Sequence, residues 1–188
     1  MFYDPSSYEL VSRLQHNSAR IRAEALSLEA GVLDLHRNIA ADVFFSRLEQ
    51  QQNGWTPSWQ VDSAEPNYSW LTYALTFYRK FMPESSLKYP ITRSLLDHDA
   101  VRMAGFSLLK PLSVIAPHRH EELGNGILTC HLGLDVAPRT SFVSVEGDFA
   151  EEQQGKAIVF DGSGEHFAFN AGLVDRIVLY VEFDSSKT

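Results

Sequence analysis

The sequence predicts a mainly β protein that begins with helices and continues as a sandwich or barrel of short strands. Two observations support this prediction. From residue 101 onward, six segments rich in apolar and β-branched residues are separated by turn residues. Upstream of residue 101, apolar residues recur instead at helical spacing. Six or more short strands in one chain are typical of a sandwich or barrel.

Taken in order, residues 8–28 carry an apolar stripe that predicts one amphipathic helix, and residues 39–48 repeat this pattern. Residues 55–68 have no clear period and are predicted to form a loop, while residues 70–81 fit a buried strand or a helix. About one helical turn is expected at residues 92–96. The predicted strands cover residues 102–109, 113–116, 127–136, 141–145, 156–160 and 176–183.

A chain of 188 residues can bury one core, and neither a repeat nor a boundary divides it. We therefore expect a single catalytic domain over residues 1–188. Residues 1 to about 100 would form helical and irregular support, and residues 101–183 would form the barrel core.

The composition also excludes several functions. A net charge of −8 argues against nucleic acid as a partner. No apolar run approaches the roughly 20 residues of a membrane span, and the first residues do not resemble a signal peptide, so we expect no membrane partner and a cytoplasmic location. The single cysteine, Cys130, excludes an internal disulfide and a multi-cysteine metal site.

Four residues carry the chemistry that the sequence suggests. His118 and His166 lie at the ends of strand-like segments, and neutral imidazoles at one barrel mouth would suit divalent iron. His131 alternates with apolar residues and falls on the opposite face of its strand, which requires a polar interior. Arg176 lies in an apolar strand, where a buried guanidinium needs an anionic partner. A ligand carboxylate would provide that partner.

The order and spacing of several motifs resemble those of the aspartyl/asparaginyl β-hydroxylase family, whose members are iron(II)- and 2-oxoglutarate-dependent oxygenases. The motifs are Phe106-Ser107, Pro117-His118, His131-Leu132-Gly133-Leu134, Gly155-Lys156, Phe160-Asp161, Glu165-His166 and Arg176. The resemblance implies a double-stranded β-helix, the jelly-roll barrel of cupins. It further implies hydroxylation of an unactivated carbon, with iron(II), 2-oxoglutarate and dioxygen. The expected substrate is small, an amino acid or a carrier-bound amino-acid residue.

The resemblance also implies individual roles. His118 and His166 would be the iron ligands. Arg176 would bind the distal carboxylate of 2-oxoglutarate with help from Ser107, and His131 would contact the cosubstrate near its chelating end.

The chain departs from the family pattern in two places. Thr129 stands where the family usually has an arginine, which Arg119 could replace, and the loop over residues 119–128 is about two residues longer. That loop contains His120, where many related enzymes have an acidic ligand. Three sites are therefore open: one with two histidines, one that adds His120, and one completed by Glu121 or Glu122.

Two other functions are alternatives: a three-histidine cupin enzyme that does not use 2-oxoglutarate, and a 2-oxoacid-binding module without turnover. Trp70 is expected in the core and Glu151-Glu152 in a solvated turn. The remaining histidines, His16, His36 and His98, are expected outside the site.

Overall fold

The computed structural model of the chain describes residues 1–35, 41–59 and 65–188. The helices of these residues are α1 (Glu9–His16), α2 (Ser18–Leu26), α3 (Ala41–Gln50), α4 (Ser85–Lys88) and α5 (Pro90–Leu96). Short 3-10 turns lie at Pro5–Ser7 and Ser185–Lys187. In this part of the chain, no helix has the length and apolar character needed to cross a membrane.

The strands form the greater part of the fold. They are β1 (Phe2–Tyr3), β2 (Trp55–Trp59), β3 (Pro66–Phe77), β4 (Lys80–Phe81), β5 (Val101–Leu109), β6 (Ser113–His118), β7 (Ile127–Asp135), β8 (Ser141–Val145), β9 (Asp148–Glu151), β10 (Ala157–Phe160), β11 (His166–Asn170) and β12 (Arg176–Asp184).

Within the described residues these strands make two antiparallel sheets. The main sheet has the order β1-β10-β7-β12-β5-β3-β2, with β4 added beside β3, and the smaller sheet has the order β6-β11-β8-β9. A buried apolar cluster draws residues from both sheets, among them Leu109, Val143 and Phe160, so the sheets face each other. The fold is the mainly β jelly-roll that the sequence predicts.

The two faces of the main sheet have different characters because side chains alternate along a strand. On β7, Leu128, Cys130, Leu132 and Leu134 belong to the large apolar cluster that also contains residues of α1 and α2. Thr129 and His131 therefore point to the space between the sheets, as the alternation predicts. Helices α1 and α2 cover one face of the main sheet, and the opposite face carries the polar groups.

The N-terminal half contains more β structure than predicted. The predicted loop over residues 55–68 is wrong, because β2 and the beginning of β3 lie there. The alternation of apolar and polar residues is unclear here for two reasons. β2 is an edge strand, where a proline such as Pro57 is tolerated, and its pairing with β3 shifts register after Pro57. Residues 70–81 form the hairpin of β3 and β4 rather than a helix, and β1 to β4 extend the main sheet upstream of residue 101.

The predicted helix over residues 8–28 is instead two helices. The Asn17 side chain donates a hydrogen bond to the Arg13 carbonyl oxygen at 2.9 Å, and α1 ends there. Of the predicted helix over residues 39–48, positions 39 and 40 lie outside the described residues, and α3 covers the rest. The short strands β1, β9 and β11 are additions that the pattern did not predict.

Gly133 allows the segment between β9 and β10 to lie directly against β7. A Cβ atom at this position would overlap with the carbonyl oxygen of Gln153. The Gly133 amide also donates to the carbonyl of Lys156 at 3.0 Å, and the Gly155 amide donates to the carbonyl of Gly133 at 2.8 Å. This close backbone contact brings Glu152 beside His131.

Gly133→Ala should therefore lower the free energy of unfolding by about 1–3 kcal/mol, since the new methyl group would meet backbone rather than a flexible side chain. Urea unfolding of the metal-free protein measures this effect. Gly124→Ala is the control, because a Cβ there meets no atom within 4 Å. Equal stability of the two variants would contradict the proposed contact.

Candidate active site

The two predicted imidazoles meet at one end of the smaller sheet. β6 ends at His118, β11 begins at His166, and the two residues are directly opposite each other in the antiparallel ladder. Their ring centroids are 4.3 Å apart. Since opposite side chains in such a ladder are neighbours, strand pairing alone brings these histidines together.

Backbone carbonyl groups orient both rings. Nδ1 of His118 lies 2.8 Å from the carbonyl oxygen of Ala116, and Nδ1 of His166 lies 2.9 Å from that of Gly164. A carbonyl oxygen can only accept, so each Nδ1 donates its hydrogen and each neutral ring keeps a lone pair on Nε2. This arrangement of the second nitrogen is typical of metal-binding histidines.

The histidines are also held in the neutral form. Burial and the nearby His118 lower the pKa of His166 to about 3, and burial lowers the pKa of His118. Near neutral pH both rings can therefore offer a lone pair without first losing a proton.

His120 joins this pair. Its ring centroid is 5.0 Å from that of His118 and 5.3 Å from that of His166, and the candidate ligand atoms of the three residues lie within 4.8 Å of one another. The His120 amide donates to the carbonyl of Gly162 at 3.0 Å. Glu122 reaches His120 Nδ1 at 3.5 Å. In the described part of the chain, the candidate metal-ligating cluster consists of these three histidines and includes neither Glu121 nor Glu122.

The predicted oxyacid-binding residues also come together, on the inner face of the main sheet. Arg176 is 1% exposed, and its Nη1 atom lies 3.5 Å from Ser107 Oγ. Its Nη2 atom lies 3.4 Å from Nδ1 of His131. The structure thus brings Ser107, His131 and Arg176 into one buried polar cluster.

The partner of Arg176 differs from the prediction. Glu152 was expected in a solvated turn, but it is 2% exposed and forms an ion pair with the guanidinium. Nε of Arg176 donates to Oε2 at 2.7 Å, and Nη2 donates to Oε1. The expectation that a ligand must supply the anionic partner is therefore wrong. The turn is buried because Gly133 lets its backbone lie on β7.

Trp70 packs against the apolar cluster between the two sheets, in agreement with the expected core position, and it also contacts the candidate site residues. Its indole Nε1 donates to Ser107 Oγ at 3.1 Å, and its ring centroid is 5.9 Å from that of His118. Trp70 therefore links the oxyacid cluster to the histidines. Trp70 lies on β3, which pairs with β5, the strand that carries Ser107. The sequence alone does not show that these two strands pair, and therefore does not show that Trp70 contacts Ser107.

The remaining candidates have other environments. Thr129 is buried, and its Oγ1 has no hydrogen-bond partner among the described residues. Arg119, the suggested replacement for the family arginine, is exposed and lies 3.9 Å from the Glu165 carboxylate. His16 and His98 do not belong to the cluster, and His36 lies outside the described residues.

The fold and the histidine cluster define a jelly-roll protein with a candidate metal site, and comparison with known proteins identifies its family. A family model described as aspartyl/asparaginyl β-hydroxylase matches residues 15–185. The chain belongs to this family, and the resemblance inferred from the motifs is confirmed.

One curated relative is an ornithine lipid ester-linked acyl 2-hydroxylase of Rhizobium tropici. It is 38% identical over 82 residues, which are 43% of this chain and 28% of the relative. The match thus spans less than a third of the relative's length.

Two solved structures are similar in outline. One is an oxidoreductase of the 2OG-Fe(II) oxygenase family from Burkholderia pseudomallei, with 14% identity and a TM-score of 0.47, covering 85% of this chain and 97% of that chain. The other is KdgF from Halomonas sp., with 16% identity and a TM-score of 0.43, covering 71% and 88%.

The low histidine pKa values predict a pH-dependent stability of the metal-free protein. Folding lowers the pKa of His166 to about 3. Between this pH and the ordinary histidine pKa, His166 is protonated in the unfolded state and neutral in the folded state, so the unfolded state binds more protons. The free energy of unfolding should therefore fall as the pH decreases from about 6.5. Urea unfolding in a chelator at several pH values tests this, and His166→Asn should flatten the slope. An unchanged slope in the variant would contradict the prediction.

Proposed function

We propose that this protein is an iron(II)- and 2-oxoglutarate-dependent dioxygenase that hydroxylates an unactivated carbon of a small substrate. The substrate class that we propose is an amino acid or a carrier-bound amino-acid residue. The observation that carries the proposal is the position of the histidine cluster beside the Arg176–Ser107 pair, with Trp70 touching both.

Iron(II) fits the histidine cluster. His118 and His166 each donate Nδ1–H to a backbone carbonyl, so Nε2 carries the lone pair of each neutral ring, and imidazole nitrogen suits ferrous iron. His118 and His166 would hold the metal. His120 is near enough to be a third ligand.

A carboxylate of 2-oxoglutarate also fits. Glu152 occupies the Nε and Nη2 edge of Arg176, which leaves the Nη1 side next to Ser107. Ser107 Oγ accepts from Trp70, so its own hydrogen remains able to donate. A carboxylate at this position would receive hydrogen bonds from a guanidinium and a hydroxyl, a charge-assisted arrangement.

In the reaction, the chain supplies binding and orientation. Iron(II), when bound, couples oxidative decarboxylation of 2-oxoglutarate to succinate and carbon dioxide with the transfer of one oxygen atom of dioxygen to a C–H bond. His118 and His166 would hold the metal through rings whose orientation is fixed by hydrogen bonds to backbone carbonyl groups. Arg176 and Ser107 hold the far end of the cosubstrate, and Trp70 positions Ser107.

Anaerobic titration of the iron(II)-loaded protein with 2-oxoglutarate tests the cofactor assignment. Bidentate chelation should produce a weak visible metal-to-ligand absorption band. His166→Ala should lose both iron and the band, whereas His16→Ala should keep both. Absence of the band in wild-type protein with bound iron would contradict 2-oxoglutarate dependence and favour a cupin enzyme that does not use it.

A second variant tests the carboxylate site without leaving a buried charge. Arg176→Gln alone would leave Glu152 unpaired, so Arg176→Gln and Glu152→Gln are combined to keep the site neutral. The double variant should retain iron and lose the band at 2-oxoglutarate concentrations that saturate the wild type. Full binding by the double variant would contradict the assignment of Arg176.

The lining of the adjacent pocket favours a second substrate class. The pocket reaches His120 and Ser107, and its apolar wall is formed by Phe44, Phe45, Ala74, Met103 and Ala104. An apolar wall next to the histidines suits an acyl chain, and the Rhizobium tropici relative is named for acyl hydroxylation. An acyl chain of a lipid is therefore the second candidate.

Mass spectrometry of products from the iron-loaded protein and 2-oxoglutarate distinguishes the candidates, with amino acids and acylated lipids offered separately. If the substrate is an acyl chain, Met103→Glu should reduce turnover about tenfold or more, because it places a charge in the apolar wall. Leu112→Glu is the control, since Leu112 is 72% exposed and does not line the pocket. Hydroxylation of an amino acid alone would exclude the acyl candidate.

A further inference from the structure

Glu152 has a more complete set of partners than a structural ion pair requires. Its Oε1 accepts from Nη2 of Arg176 and lies 2.9 Å from Nδ1 of His131. Its Oε2 accepts from Nε of Arg176 at 2.7 Å and from the Ser141 hydroxyl at 2.7 Å. An ionised carboxylate has about four acceptor positions, so these contacts fill its capacity.

The backbone of Glu152 is fixed as well. Its amide donates to the carbonyl of Ser141 at 2.9 Å, and the neighbouring Gln153 carbonyl lies against Gly133. Burial alone would raise the pKa of the Glu152 carboxyl, but the Arg176 charge and the hydrogen bonds lower it well below its usual range. Glu152 is therefore a permanent anion in this cluster.

Glu152 determines which part of Arg176 can meet a ligand. A guanidinium can bind one carboxylate along its Nε–Nη2 edge and another along its Nη1 side. In this protein Glu152 occupies the Nε–Nη2 edge of Arg176. Nη1 of Arg176 lies 3.5 Å from Ser107 Oγ. The same hydroxyl oxygen accepts a hydrogen bond from Trp70, so the Nη1 side of Arg176 faces Ser107 and Trp70.

Glu152 also determines the tautomer of His131. Burial lowers the pKa of His131, although the hydrogen bond that the ring donates to Glu152 opposes this effect, so the ring is neutral near pH 7. Because an ionised carboxylate can only accept, Nδ1 must carry the hydrogen. Nε2 is then an acceptor and cannot donate to an anionic oxygen. Arg176 and Ser107 are left as the donors for a ligand carboxylate.

We propose that Glu152 is a positioning residue of the oxyacid site: it holds one edge of Arg176 and the Nδ1 hydrogen of His131, so that 2-oxoglutarate binds only at the Nη1 side beside Ser107. This inference rests on the proposed function, since it concerns the same cosubstrate. In this arrangement Glu152 stays in place when the ligand binds, and both carboxylates share one guanidinium.

The opposite arrangement makes a different prediction. If Glu152 were a substitute for the ligand, 2-oxoglutarate would displace it from Arg176 and break the contact with His131. Removing the Glu152 charge would then strengthen binding of 2-oxoglutarate. The two arrangements therefore differ both in the wild-type complex and in the sign of the mutational effect.

Nitrogen NMR of the wild-type protein distinguishes them without any variant of Glu152. The zinc(II)-loaded protein is labelled at its histidines, and the His131 signals are assigned from the spectrum of His131→Asn. We expect a hydrogen on Nδ1 and none on Nε2, both before and after saturation with 2-oxoglutarate. A hydrogen on Nε2 in the free protein, or loss of the Nδ1 signature on binding, would overturn the proposal.

Isothermal titration of the zinc(II)-loaded variants with 2-oxoglutarate gives the second test. In Glu152→Gln, the side-chain NH2 group would face a donor of Arg176, either Nε–H or Nη2–H, so the guanidinium would turn. The dissociation constant for 2-oxoglutarate should therefore rise about tenfold. Glu151→Gln is the matched control, because that side chain accepts from the Arg139 amide at the surface and touches neither Arg176 nor His131. Unchanged or tighter binding by Glu152→Gln would contradict the positioning role.

Kinetics separate positioning from a general loss of stability. Glu152→Gln should raise the KM for 2-oxoglutarate about tenfold while kcat at saturation changes less, and Glu152→Asp should recover part of the affinity. A fall in kcat with unchanged KM would contradict the proposal. If wild-type protein does not bind 2-oxoglutarate, the proposed function fails, whereas the tautomer of the free protein still reports whether Glu152 holds His131.

Discussion

The buried ion pair between Arg176 and Glu152 connects the two sheets of the barrel at the site. Arg176 belongs to the main sheet, while Glu152 follows β9 of the smaller sheet and is held by Ser141 of β8. A buried pair is tolerated only when its remaining hydrogen-bonding positions are also filled. His131 and Ser141 fill them here. The placement of the polar cluster, and with it the orientation of Ser107 and Trp70, depends on this pair.

The alternation of strands explains how such a cluster can exist inside a small protein. Leucine residues of β7 and β12 pack with α1 and α2 on one face of the main sheet, which supplies the large apolar cluster. The opposite face is then available for His131 and Arg176. A second apolar cluster between the sheets, with Phe160 and Val143, supports the polar residues on their other side. The apolar side chains that stabilise the fold and the polar side chains of the candidate site thus lie on opposite faces of the same strands.

Family membership and local geometry make separate contributions to the functional assignment. The family match identifies a β-hydroxylase relationship over residues 15–185, and the chain carries the histidines and arginine expected from it. The surroundings of those residues are particular to this chain: Thr129 is neutral, His120 lies in the histidine cluster, and Glu152 neutralises Arg176. These differences bear on how the proposed cosubstrate would be held and on which substrate would reach the proposed metal site.

The sequence by itself determined the β-rich class, most strand positions from residue 101 onward, and the residues that meet at the site. These were accessible because alternation and motif order are local properties of the chain. Only the tertiary structure decided that Glu152 is buried, that Trp70 touches Ser107, and that residues near Trp55 form an edge strand. Each of these depends on contacts between strands distant in sequence. A carboxylate in a turn has the same local pattern whether it meets water or a buried guanidinium.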